Sequence, residues 1–545
     1  MGLQNCNPQE LSFAQAMAEI GVIIGPENLI QDPEKVRIKS EDIIPRTRQA
    51  LAFAYPANIE QIQKILAIAN QHLLPIWPVS RGKNWGYGGA SPSENGTLVL
   101  GLEKMNKILE VNTELAFAVI EPGVSFRQLH SYLIENNIPL WIDCTDGPPE
   151  GSVMGNSLER GIGETDYGDH FGNICGMEVV LPDGTMLRTG GGPMKNFRSW
   201  NTYKWGVGPS LDGLFSQSNF GVVTKMGVWL RPKPEKFLSC LFELKDPKNF
   251  TLLIDGLRHL QLQGVLQSKV HLINEVATRA VSVEDYNDPE QTLRGYKLPS
   301  WSFAAGLYGS HEQVRINARS IRAVLGPLGT LQFIDETKLK IINGLSRRLR
   351  SWKNKKALSG LSDWICQTLI GKPLPLMEIL PHIHAIEQGY PNDHFVKHAY
   401  LKSKTPKPKT GDADPVRDNC GLVWLGPMVP LTGPAVSELL AIAEPLYKKF
   451  NFEFYVALMV GNARTAIVLL SIFYDKTNPT ETARAENLYF ALGKITQDQG
   501  YQQYRTSTLY MDKVFANAPE FLGFCKKLKK AIDPNGILAP GKYNI

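Results

Sequence analysis

The run Pro78-Val79-Ser80-Arg81-Gly82-Lys83-Asn84-Trp85-Gly86-Tyr87-Gly88-Gly89-Ala90 concentrates the residue types that can hold a bulky anion. Four glycines fall within eight residues, so backbone N–H groups can approach a ligand with no Cβ in the way. Arg81 and Lys83 add positive charge at the same place. The spacing is neither G-x-G-x-x-G nor G-x-x-x-x-G-K-[ST], so neither the Rossmann nor the P-loop fingerprint applies. Taken alone, the run reads equally as a glycine-rich surface turn or as an anion cradle. Seven cysteines, Cys6, Cys144, Cys175, Cys240, Cys366, Cys420 and Cys525, lie far apart with no C-x-x-C, which indicates neither a zinc site nor a disulfide framework.

The elements that must position this loop can be read around it. Ile62, Ile65, Leu66 and Ile68 recur at helical spacing before it, and Leu74 to Val79 leads in as a short strand. Upstream, a helix from Pro8 to Ile20 gives way to polar loop up to residue 50. Downstream, strands are expected at 98–102 and 116–120, and Ser125 is a helix N-cap before Phe126, Leu129, Leu133 and Ile134. Segments 177–181 and 185–189 flank Pro182-Asp183-Gly184, a hairpin signal. The segment 211–229 reads as a short helix, then a strand. Beyond Pro234 the pattern changes to longer helices (250–264, 311–326, 434–450, 481–499) and strands at 301–307, 421–426, 453–460 and 463–474, suited to an antiparallel sheet covered on one face. Residues 401–418, with Lys402, Lys404, Lys407 and Lys409 among prolines, read as solvated loop. The chain therefore divides as 1–235, 236–495, and a C-terminal segment 496–545 that returns to the first domain.

At 545 residues the chain needs more than one core. Its 43% hydrophobic and 20% charged residues are those of a soluble globular protein. A net charge of +5 over this length excludes a general nucleic-acid binder. No apolar run reaches membrane-spanning length and no signal-peptide pattern opens the chain, so a cytoplasmic location is expected.

The opening run resembles the diphosphate loop of the vanillyl-alcohol oxidase and p-cresol methylhydroxylase family of flavoproteins. Further runs match that family in the same order: Gly151-Ser152-Val153-Met154-Gly155-Asn156 through His170, Leu211 to Asn219 with Gly221 to Thr224, Tyr504-Arg505, and the tail Asp533-Pro534-Asn535-Gly536-Ile537-Leu538-Ala539-Pro540-Gly541-Lys542. The resemblance implies an α+β, two-domain fold: an FAD-binding PP-domain and a cap domain on an antiparallel sheet. It assigns FAD to Ser80, Arg81, Gly82, Lys83, Asn84, Gly88, Ser152, Gly155, Asn156, Arg160, Gly163, Val222, Val223 and Lys542.

The resemblance also implies a para-substituted phenol as substrate, held as phenolate by Tyr87, Tyr504 and Arg505. Hydride would pass from its benzylic carbon to flavin N5 through a p-quinone methide, with O2 as acceptor. A flavocytochrome-type dehydrogenase and a flavin-binding protein without turnover are the rival readings. A homodimer, with no nucleic-acid or membrane partner and no metal, is expected. An aspartate that acts near N5 in the family's alcohol oxidases matches Asp146, with Glu150 as the alternative because the surrounding run is one residue longer here. Glu164 stands where the family commonly has a tyrosine. At the family's histidine for covalent flavin this chain has Leu422, so FAD is expected to be non-covalent, with Tyr400, beside His398, the candidate for a tyrosyl link.

Overall fold

The computed structural model describes residues 8–282, 296–355, 357–370, 372–408 and 413–545; Cys6 and Lys409 lie outside them. In the first part, Ile59–His72 is a helix capped by the Asn58 side chain, which accepts from Gln61 N–H. Its Ile62, Ile65, Leu66 and Ile68 are buried as their spacing requires. It delivers the chain into the strand Ile76–Val79, which lies parallel to Thr97–Gly101 in a small sheet with Ala50–Ala54 and Leu29–Ile30. A five-stranded antiparallel sheet follows, in the order Ile108–Asn112, Phe117–Ile120, Val222–Trp229, Ile174–Val180, Met186–Arg188. Ser125 caps the helix Phe126–Glu135 by accepting from Gln128 N–H. The expected loop between residues 20 and 50 holds instead a helix, Pro33–Lys39, with Asp32 as N-cap and Pro33 at its first turn. That start signal was present in the sequence but only seven residues long, too short to show a periodic face.

The second part is one large antiparallel sheet. Its order is Gly329–Ile334, Lys236–Leu244, Trp301–Gly309, Val270–Asn274, Tyr455–Val460, Thr465–Asp475, Cys420–Leu425, with Met428–Pro430 pairing Thr465–Asp475. Side chains alternate between its faces. Val456, Leu458 and Val460 point into a core shared with the helices Phe250–Leu262, His311–Leu325, Gly433–Lys449 and Pro479–Asp498. Ala457 and Met459 point the other way, with Ile467 and Leu469, toward Ile162, Trp424 and Tyr504. The helix-covered face is core, and the opposite face is a wall turned on the first domain.

Two seams hold the parts together. Leu422 N–H donates to Ile43 O (2.8 Å) and Trp424 N–H to Gly86 O (3.3 Å), joining the cap sheet to the N-terminal segment and to the glycine loop. The C-terminal segment runs back through the first domain: Ile76 N–H donates to Ile537 O and Ala539 N–H to Ile76 O, both at 2.7 Å. Lys529, buried, donates to Asn219 O and Leu538 O, and Asn219 donates to Ala539 O. Among the described residues no helix is long and apolar enough to cross a membrane.

Candidate active site

The glycine loop has the backbone its composition calls for. Gly82, Gly86 and Gly88 sit at φ +63°, +78° and +126°, conformations that a Cβ disfavours. A Cβ on Gly86 would also lie 2.1 Å from the Trp424 ring. Between these turns the N–H groups of Gly82, Lys83, Asn84 and Trp85 find no protein acceptor among the described residues. Four successive N–H donors without a protein acceptor in a half-buried loop have the make-up of an anion nest. Behind the loop, buried Asp42 accepts from Gly86 N–H (3.1 Å) and Ile44 N–H (3.2 Å). Burial pushes its carboxyl up to about 7, against the pull of Gly86 N–H and Lys476. Nothing in the sequence marked Asp42, one of two adjacent acids, Glu41-Asp42, before Ile43-Ile44.

The loop opens one long cleft. Its walls include Ser80, Arg81, Gly82, Lys83, Asn84, Gly88, Ser152, Gly155, Asn156, Val222, Val223 and Lys542, together with Tyr87, Asp146, Tyr504 and Arg505. His398, Leu422, Trp424, Met459 and Leu469 come from the cap. The structure thus brings together residues spread over more than 450 positions of sequence. Three expected residues stand off this wall. Arg160 donates through Nε to Ser216 Oγ (2.7 Å). Gly163 is a packing glycine, for a Cβ there would fall 1.6 Å from Asp143 Oδ1. The Tyr400 hydroxyl donates to Asp418 Oδ2 (2.6 Å), and burial with this bond raises its pKa well beyond the usual range. Arg81, although on the wall, spends its guanidinium on Glu150 O, Gly123 O and the Glu150 carboxylate, and Lys83 lies 5.0 Å over the Trp85 ring. The nest therefore rests on N–H groups more than on side-chain charge.

On the same wall, Tyr87 Oη and Tyr504 Oη lie 3.3 Å apart. The Arg505 guanidinium sits 4.0 Å from the Tyr87 ring centre and 5.4 Å from that of Tyr504. Tyr504 N–H donates to Gly426 O (3.0 Å), and Gln217 holds Tyr504 O (2.9 Å), so three remote segments fix this one residue. Burial raises the Tyr87 pKa well above the ordinary phenol value, so Tyr87 stays a hydrogen-bond donor. Burial opposes the charge on Arg505, yet the oxygens of Tyr504 and Tyr87 outweigh it and push its pKa up. Its Nε is buried without a partner. A cation and two hydroxyls converging on one point are the donor set a phenolate oxygen needs.

Asp146 lines the same cleft, whereas Glu150 pairs with Arg81 (3.2 Å) and Arg127 (2.6 Å). Behind Asp146 lie Glu164 and His271, the ligand-type atoms of all three within 4.8 Å of one another. Lys269 Nζ donates to Glu164 Oε1 at 2.5 Å, both side chains buried. Asp143 organises the segment beside them: it accepts from Glu164 N–H, Thr165 N–H and His170 Nε2, while His170 Nδ1 meets Asn156 Oδ1 at 2.6 Å. Burial opposes ionisation of Asp143, but His170 and Thr165 more than offset it and lower its pKa. Neither Lys269 nor His271 stood out in the sequence, because Lys269-Val270-His271-Leu272-Ile273-Asn274 shows no apolar period.

The FAD binding domain family matches residues 50–190 of this chain. Along almost its whole length the chain is 32% identical to the 1'-carboxy-chondrochloren decarboxylase of Chondromyces crocatus, covering 97% of each. The chain belongs to the p-cresol methylhydroxylase family of FAD-dependent flavoproteins. Within it, the 4-cresol dehydrogenase (hydroxylating) flavoprotein subunit of Pseudomonas putida is 29% identical over 98% of this chain and 96% of its own. The 4-ethylphenol oxidase of Gulosibacter chungangensis, solved with isoeugenol, superposes with a TM-score of 0.85 at 26% identity, covering 99% of this chain and 98% of its own. The two-domain α+β fold and FAD as cofactor follow from this membership. The anion nest over Gly82 to Trp85 fits the diphosphate of that cofactor.

Proposed function

We propose that this chain oxidises the benzylic carbon of a para-substituted phenol, with O2 as the final acceptor. The observation that carries the reading is the convergence of Tyr87, Tyr504 and Arg505 in the cleft that also holds the anion nest. In this reading the N–H groups of Gly82 to Trp85 hold the FAD diphosphate, and Ser152, Gly155, Asn156, Val222, Val223 and Lys542 line the rest of its bed. FAD supplies the hydride acceptor, and Leu422, an alkyl side chain in the cleft wall, leaves it non-covalently bound.

The residues of the chain do the remainder. A phenol has a pKa of about 10, so at neutral pH it must be helped to ionise. Arg505 supplies charge, and Tyr87 and Tyr504 supply hydroxyl donors that strengthen as the substrate oxygen gains charge. The phenolate then drives electrons through its ring as a benzylic C–H bond breaks and its hydride leaves for the acceptor, so that carbon becomes a quinone methide carbon. Asp146 takes a proton from the water that adds there, as the new C–O bond forms and the water O–H bond breaks. The apolar wall of Met459, Leu469 and Trp424 admits the substrate's alkyl end and keeps other water out.

The test is anaerobic mixing of the purified yellow protein with 4-alkylphenols, 4-hydroxybenzyl alcohols and 4-hydroxyphenyl acids bearing a benzylic carboxyl. Bleaching with at least one class is expected, and reoxidation in air faster than with an artificial acceptor under nitrogen. A protein that no such phenol bleaches would not be a phenol oxidase.

A further inference from the structure

Two residues beside the cleft, Arg160 and Gln217, hold left-handed backbone at φ +52° and +48°, where a Cβ is disfavoured. Each stands one residue past the cap of a short helix, a place where glycine is the usual choice. Arg160 follows the helix Val153–Leu158 and its cap Glu159, and Gly161 N–H closes that end on Asn156 O (2.8 Å). Gln217 follows the turn Asp212–Phe215 and its cap Ser216. The two ends clasp each other. Arg160 Nε donates to Ser216 Oγ (2.7 Å), while Gln217 donates through its backbone N–H to Leu158 O (2.9 Å) and through Nε2 to Glu159 O (3.2 Å). Nε2 also donates to Tyr504 O (2.9 Å), 287 residues away. Both partners of Nε2 are carbonyl oxygens, so they fix which end of the amide is the nitrogen. Gln217 itself lines the cleft.

We propose that Gln217 is a positioning residue for the phenol: it ties Tyr504 to the end of the Val153–Leu158 helix and so sets where the Tyr504 hydroxyl and the adjoining Arg505 stand against Tyr87. This rests on the reading of Tyr87, Tyr504 and Arg505 as the phenolate site. Left-handed backbone at a residue with a side chain persists only where the surrounding bonds over-determine it, and such residues gather at functional sites. Asparagine or glycine would take φ +48° with less strain, so what glutamine adds at this position is reach. Asparagine is shorter by one carbon–carbon bond, about 1.5 Å, which leaves it too short to hold both carbonyls within hydrogen-bond range. Among the described residues Tyr504 has two backbone bonds. Its N–H goes to Gly426 O on the cap (3.0 Å), and its carbonyl goes to Gln217 on the first domain. The residue is therefore slung between the two domains, and Gln217 is its tie to the side that carries Tyr87. Without that tie Tyr504 is left to follow the cap, and the two hydroxyls, 3.3 Å apart, lose their common aim.

The experiment compares the FAD-loaded wild type with Gln217→Asn, which suits the backbone better and shortens only the reach. With no phenol present, hydrogen–deuterium exchange of residues 503–506 should be faster in the variant, at unchanged FAD content and a melting temperature close to wild type. Titrated with a non-reacting phenol and followed by the flavin spectrum, the variant should bind about tenfold more weakly. Gln217→Glu, equal in length but with a carboxylate that has no N–H to give, should weaken binding as much. Wild-type exchange at 503–506 in Gln217→Asn would overturn the proposal, and so would faster exchange with unchanged phenol affinity. Should Gln217→Asn fail to fold, Gln217→Gly, which takes positive φ most readily, is read in the same way. If no phenol perturbs the wild-type flavin, the functional reading falls, while the exchange measurement still decides whether Gln217 positions Tyr504.

Discussion

Arg505→Met should slow phenol chemistry without weakening the fold, and the structure gives both signs. Arg505 is buried near the hydroxyls of Tyr87 and Tyr504, and it pairs with no carboxylate among the described residues. Its Nε is without a partner. Burial opposes its charge and the oxygens of Tyr504 and Tyr87 offset that, so an apolar side chain of similar length should leave the melting temperature close to the wild-type value. The same charge is what a bound phenolate requires. Ionising a phenol of pKa about 10 at pH 7.5 needs about 2.5 pKa units, roughly 3.4 kcal/mol. A guanidinium about 4 Å from the phenolate oxygen supplies about 4 kcal/mol at an effective dielectric constant near 20. Arg505 can therefore cover most of the requirement. The variant should bleach a few hundred-fold more slowly in anaerobic stopped flow, bind a non-reacting phenol correspondingly less tightly in spectral titration, and recover rate as pH approaches the phenol's own pKa. A rate and affinity within about threefold of wild type would refute the reasoning. So would a loss of activity that merely follows a fall in melting temperature.

Two other outcomes follow from buried groups outside the cleft. Glu387 is buried against Ser239 Oγ (2.5 Å), and burial pushes its carboxyl up to about 8. Its contribution to stability is full below the unfolded value of 4.5 and is lost as pH rises through about 8, because in that window the unfolded chain releases a proton the folded one retains, at most about 1.4 kcal/mol per pH unit. Denaturant unfolding at pH 5 and pH 8 should thus show a smaller fall for Glu387→Gln than for wild type, and equal falls would contradict the assignment. For the cofactor, acid precipitation should leave the yellow colour in the supernatant, for wild type and Tyr400→Phe alike, since the Tyr400 hydroxyl is committed to Asp418. A yellow pellet that turns white in Tyr400→Phe would establish a tyrosyl link instead.

Much of this protein was legible in the chain wherever function is written as a contiguous run. The glycine loop, its leading helix and strand, the Ser125 cap and the Pro182-Asp183-Gly184 hairpin are local arrangements, set by backbone preference and short-range hydrogen bonds. Four cap helices, Phe250–Leu262, His311–Leu325, Gly433–Lys449 and Pro479–Asp498, were legible for the same reason, each burying a face at helical spacing, whereas Glu336–Lys353, which buries only Ser346 and Leu349, was not. Cap strands that carry polar residues were not: Lys236–Leu244 starts among prolines, and the strand after Lys269 alternates with His271 and Asn274, so neither shows an apolar period.

What only the tertiary structure decided is which charges meet. The sequence could place Asp146 and Glu150 four residues apart but could not show their surroundings: Glu150 meets Arg81 and Arg127, whereas Asp146 lines the cleft. It could name Arg81 and Lys83 as cations but not show that they are engaged elsewhere, leaving N–H groups as the nest. Local sequence sets backbone shape over a few residues, whereas the state of a buried charge depends on every group within several ångströms, and in this fold Lys269 reaches Glu164 from 105 residues away and Tyr504 reaches Tyr87 from 417.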